Sequence, residues 1–231
     1  MPTRPSTPAH PAADPARPIA SRPHRTPARL VALGGLGVAV TTALEVLTAP
    51  YSPAVRAYPV NGAVHTAKVI AVVAFVAGVL MLAARLREPL GRLGSAAMAV
   101  VGLATVGGAV PYSLVEAFLD PSLPPAEADQ RLEAIYAEQT WIAGVSTVAL
   151  PLVLVGLVTL AVVALRRRLV PAWAPIASLV ALPVAVLAGI AGEAGLPIPH
   201  PPAWLFLGLS AYGIALLRTP TAIGARSPVP A

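Results

Sequence analysis

Three glutamates each stand near the end of a long apolar run and are followed within one to two turns by prolines. They are Glu45 before Pro50 and Pro53, Glu116 before Pro121 and Pro124, and Glu193 before Pro197 and Pro199. A carboxyl group at such a depth can bind a cation or a hydrogen-bonding ligand, or it can hold its proton and act as a general acid. Helical spacing adds neighbours: Thr41 and Thr42 share a face with Glu45, and Tyr112 shares one with Glu116. On the run after Glu45, His65 stands one turn before Lys68, the only lysine in the chain and the natural counter-ion for an embedded Glu45. The candidate ligand-binding residues are therefore Glu45, Glu116, Glu193, Tyr112, His65 and Lys68.

Other chemistries have less behind them. There is no cysteine, which removes disulfides, thiolate metal sites and cysteine nucleophiles. Imidazoles and carboxylates could still hold zinc, iron or manganese, and His65, His200 and Glu138 form the alternative metal set. However, no His-x-x-x-His, Glu-x-x-His or Asp-rich loop accompanies them, and His65 and His200 do not have the placement of haem ligands. No cofactor follows from the sequence. Gly-x-Ser-x-Gly and phosphate-binding glycine loops are also absent, so no nucleophile is marked.

The elements that must position these residues are set by composition. With 56% hydrophobic and 11% charged residues, against the roughly 25% charged residues of soluble domains, the chain reads as an all-α integral membrane protein. Six runs approach the roughly 20 apolar residues that cross a bilayer: about 30–48, 64–84, 95–118, 141–165, 172–192 and 202–217. The last is short and is preceded by Pro197, Pro199, Pro201 and Pro202. Residues 1–28, rich in Pro, Ala and Arg, and residues 219–231 read as disordered cytoplasmic tails.

Charge sets the expected orientation in the cell membrane. Every arginine except Arg56 and Arg131 falls on the tails or on the loops facing the same side as the tails. Every acidic residue except Asp14 and Glu88 falls on the opposite side. Cytoplasmic loops retain Lys and Arg, so both termini are expected to be cytoplasmic. The net charge of +6 is then a consequence of topology, and no nucleic-acid partner is expected. Each outward run ends in Glu and each return run ends in Leu-Arg (Leu86-Arg87, Leu165-Arg166, Leu217-Arg218), which suggests three parallel helical hairpins. Segment 119–140 is an outer loop carrying a short amphipathic helix, with Leu132, Ile135 and Tyr136 on one face. It is either a surface connector or a lid.

The ionisable groups gather in the outer half, and no relay residues continue inward, which argues against an ion-coupled pump. The expected function is a permease-like or accessory membrane component with an outward-facing, carboxylate-lined site for a ligand or partner. The bilayer is its solvent, and a homo-oligomer or a partner membrane protein is possible on this reading. The alternative is an intramembrane enzyme using a glutamate as general acid on a lipid or isoprenoid.

Overall fold

The computed structural model describes residues 24–48, 59–118, 123–196 and 198–218. The tail expected at 219–231 and most of that at 1–28 lie outside them. The described residues form seven helices: α1 (Arg25–Thr48), α2 (Pro59–Arg85), α3 (Arg87–Ala117), α4 (Pro125–Glu138), α5 (Thr140–Arg167), α6 (Trp173–Glu193) and α7 (Pro201–Arg218). Five of them (α1, α2, α3, α5 and α6) are long and apolar enough to cross a bilayer. The fold is consistent with a helical membrane protein. The first helix starts earlier than hydropathy suggests, because Pro27 is compatible with a first helical turn and Ala28 is buried against the bundle. The seventh, at 18 residues, is not among the five. It opens on two prolines and carries Trp204, Ser210 and Tyr212, which lower its hydropathy.

Local rules explain the boundaries. Proline opens α2, α4 and α7, where its ring presets φ and its missing N–H would have had no partner. Two helices close in the same way. After α6, Gly195 takes φ +81, its N–H donates to the Gly192 carbonyl (2.9 Å), and the Leu196 N–H donates to the Ala191 carbonyl (3.0 Å). These are the two bonds of a Schellman cap, and glycine adopts that conformation without a Cβ penalty. After α5, Arg168 occupies the left-handed position, with the Leu169 N–H donating to the Ala164 carbonyl at 3.2 Å. Within α3, Gly91 (φ 68, ψ 179) breaks the helix near its start, and the adjacent Arg167 donates to the Pro89 carbonyl at 3.0 Å. Pro111, Pro151 and Pro183 sit inside α3, α5 and α6.

Packing runs around the bundle. Helix α1 lies between α2 and α7, α2 also packs on α3, α3 on α5, and α6 on α7; a sparser α5–α6 contact completes the circuit. The core follows that order. Phe75 of α2 meets Phe206 of α7 edge to face with centroids 5.0 Å apart, and Val38, Val72, Leu82, Val101 and Leu157 are almost fully buried around them. On the α6–α7 face, buried Ser178 donates to the Gly208 carbonyl at 2.8 Å, which satisfies its hydroxyl. Helix α4 packs sparsely, chiefly on the start of α5.

Candidate functional site

Helix ends bring the ionisable groups together. Glu45 lies one turn before the end of α1 and His65 and Lys68 lie in the first turns of α2, so the antiparallel contact of these helices sets them opposite each other. Lys68 Nζ lies 2.9 Å from both Oε1 and Oε2 of Glu45, a two-point ion pair between side chains that are each 14% exposed. Glu116, at the end of α3, reaches the same place from the other side of α2. Its Oε2 is 2.7 Å from His65 Nε2, and His65 Nδ1 is 3.2 Å from Glu45 Oε1 without the alignment of a hydrogen bond. The imidazole is thus set between two carboxylates. Helix α4 adds a further contact, because the Tyr136 hydroxyl donates to Glu116 Oε1 at 3.1 Å and its ring leans on Tyr112, with centroids 5.3 Å apart.

The cluster forms part of the wall of a cavity of about 730 Å3, a volume within the roughly 300–1,000 Å3 of small-molecule sites. Every helix except α4 contributes to its lining. Much of the remaining lining is apolar, with Ala149, Leu150 and Val153 from α5 and Leu205, Phe206 and Leu209 from α7. Tyr112, Thr105 and Ser113 of α3 add hydroxyls, and buried Ser146 Oγ on α5 has no hydrogen-bond partner among the described residues.

Charge arithmetic defines what this wall offers. Two carboxylates face one ammonium and one imidazole, so the cluster is neutral with two ring protons and carries a single negative charge with one. The carboxylates are thus largely compensated inside the cavity. Each carboxylate oxygen still has lone-pair capacity beyond the contacts described. The wall can therefore accept hydrogen bonds from a ligand without needing to attract a multiply charged one.

Of the residues picked out by spacing, Glu45, His65, Lys68, Tyr112 and Glu116 all line this one cavity. Glu193 ends α6 next to the lining residues Gly192 and Gly195, but its side chain lies outside the described residues. His200 lines the cavity and is solvent-exposed, whereas Glu138 is exposed at the end of α4. Among the described residues, no group of three or more His, Asp or Glu side chains is arranged to hold a metal ion. Sequence spacing missed Tyr136 as a partner of Glu116, and Thr105, Ser113 and Ser146 on the wall. The available signal for Tyr136 was a hydroxyl on the apolar face of an otherwise polar helix; Ser146 gave none. No protein family, curated protein or solved structure matches this chain, so a functional reading rests on the chemistry of the cavity.

Proposed function

We propose that this chain is a permease-like membrane protein that binds a small molecule bearing a hydrogen-donating polar group, held at Glu45, His65, Lys68 and Glu116. One observation carries the reading: a ligand-sized cavity whose polar wall is a compensated, hydrogen-accepting cluster and whose remaining lining is mostly apolar, with a few hydroxyls. In this reading α7 makes a sixth span, three helical hairpins stand side by side, both termini are cytoplasmic and the cluster faces outward, as the arginine distribution supports. The test is binding of a fluorophore-tagged dodecylamine to the protein in nanodiscs. The triple change Glu45→Gln, Glu116→Gln and Glu193→Gln should weaken it by about tenfold or more, and unchanged affinity would remove the proposal.

A second reading has its own observation in the imidazole between two carboxylates. Such a ring is oriented for proton exchange, as an acid–base enzyme acting on a lipid or isoprenoid would require. The two readings separate on Glu116→Gln alone. An enzyme loses turnover while retaining substrate, whereas a binding protein loses affinity.

A further inference from the structure

The residues that both line the cavity and face outward mark where it opens. They are Leu150 on α5, 53% exposed, Gly192, Gly195, Leu196 and His200 at and after the end of α6, with Leu196 54% exposed, and Pro202 at the start of α7. Leu150 comes ten residues after Thr140, the start of α5, which at 1.5 Å per residue is about 15 Å along the helix. That is about half of a hydrocarbon core some 30 Å thick. On the far face of α5, Val148 and Val155 are 60% and 65% exposed, so the outer surface of the helix at this level is also apolar. The part of the opening beside Leu150, at this depth and against an apolar helix surface, leads into lipid rather than water.

Packing agrees with this position. Among the neighbouring pairs that complete the circuit of long helices, α5–α6 is the most sparsely packed. A Cβ at Gly192 would meet no atom within 4 Å, and the same holds at Gly195. The Schellman cap on Gly195 turns the chain there, so Leu196 borders the gap instead of extending α6. Both helices also carry an internal proline, Pro151 directly after Leu150 and Pro183 in α6. Each removes one helical hydrogen bond and loosens a turn.

We infer that the cavity opens sideways into the bilayer between α5 and the end of α6, and that its occupant is a lipid-phase amphiphile, a single apolar chain with a hydroxyl or amine head. The chain lies along the apolar wall from Leu150 to Phe206, and the head donates to the carboxylates of Glu45 and Glu116. This names the ligand class for the binding reading above and rests on it. The route of entry, however, can be tested without any bound ligand.

The absence of native cysteine gives a clean probe. In full-length protein in phosphatidylcholine nanodiscs, Ala109→Cys places one thiol on the cavity wall. It is treated either with N-dodecylmaleimide, which partitions into the bilayer, or with a water-soluble trimethylammonium thiosulfonate, and both rates are normalised to Ala126→Cys on exposed α4. The bilayer-borne reagent should be favoured by about tenfold or more, because its twelve-carbon chain concentrates it in the bilayer. Gly192→Trp should slow that reaction severalfold, while Gly144→Trp, at an exposed glycine with open space that does not line the cavity, should leave it unchanged. Leu196→Trp serves as a second plug where Gly192→Trp does not fold. Preference for the water-soluble reagent, or plugs without effect, overturns the lateral entrance. Loss of dodecylamine dependence on the glutamates, with lateral labelling intact, would instead overturn the binding reading and leave the entrance standing.

Discussion

The two sides of the bundle use glycine in opposite ways. Where α1 meets α2 and α7, glycines bring backbones into contact. A Cβ at Gly34 would lie 2.5 Å from the Phe75 nitrogen, one at Gly78 2.7 Å from the Val31 nitrogen, and one at Gly213 2.5 Å from the Ala28 carbonyl oxygen. Backbone atoms cannot move aside as a flexible side chain can, and such small-residue faces are how membrane helices associate closely. At the seam between α5 and the end of α6, Gly192 and Gly195 have nothing within 4 Å of where a Cβ would be. The contrast sets a tightly joined face, which fixes Glu45 opposite Lys68 and His65, against a loose seam between α5 and α6, while α5 still packs closely on α3 and α6 on α7.

The largest effect that would break this contrast is a methyl group on the tight side. Gly34→Ala combined with Gly78→Ala should destabilise the protein by about 3 kcal/mol or more, as overpacking does, read as a lower thermal midpoint in detergent. A methyl group at the loose seam, Gly192→Ala near the end of α6, should be neutral or stabilising by up to about 1 kcal/mol through helix propensity. Equal effects at both places would mean that the face and the seam do not differ.

The next effect is at the cluster held by the tight face. Lys68→Met leaves the Glu45 carboxylate without its ammonium in a mostly buried position, and should cost about 2–3 kcal/mol. Glu45→Gln together with Lys68→Met should recover a good part of that loss, because the pair is removed as a unit. A double-mutant cycle on thermal stability measures the coupling. Additive effects would show that the 2.9 Å contacts contribute nothing beyond their separate parts.

Much of this arrangement could be read in the sequence, for identifiable reasons. Long apolar runs give helices irrespective of tertiary detail, so α1, α2, α3, α5 and α6 were visible from hydropathy. The contact of Glu45 with Lys68 was visible because a hairpin brings the end of one helix to the start of the next and the chain has one lysine to offer. The bridge from His65 to Glu116 was not, since it depends on how α3 rotates against α2. In a chain of Ala, Val, Leu and Gly, helix rotation is set by many small packing contacts that no single residue announces. The exposure of Leu150 was hidden for the same reason, because an apolar residue in a span looks alike whether it faces core, cavity or lipid.

A smaller effect concerns α4, whose sparse packing on α5 leaves Tyr136 as its described link to the cluster. Tyr136→Phe keeps the ring against Tyr112 and removes the hydroxyl from Glu116. A hydrogen bond to a charged acceptor contributes about 1.5–3 kcal/mol in a rigid buried setting, and less here, where both groups are only partly buried. The expected result is faster backbone hydrogen exchange across residues 125–138, with the α1–α2 amides unchanged. Equal protection in both proteins would show that α4 is held by its apolar face alone.

The smallest predicted effect tests the far end of the tight face. His24 stands just before α1, and its Nδ1 is buried without a hydrogen-bond partner among the described residues. Loss of hydration, and then the nearby Arg85 guanidinium at the end of α2, hold its pKa below the ordinary 6.5. Both causes disfavour the imidazolium, so the folded protein binds this proton less readily than the unfolded chain does. Above pH 6.5 both states are neutral at His24 and the group has no net effect. As pH falls below 6.5 the unfolded state takes up the proton first, and stability declines until the folded state is protonated as well. The thermal midpoint should therefore drop slightly more between pH 7.5 and 5.5 in the wild type than in His24→Gln, the difference isolating this histidine from His65. A wild-type drop equal to or smaller than that of the variant would mean that the junction of α1 with the end of α2 is open to water at His24, just beyond the close approach of Gly78 to Pro27.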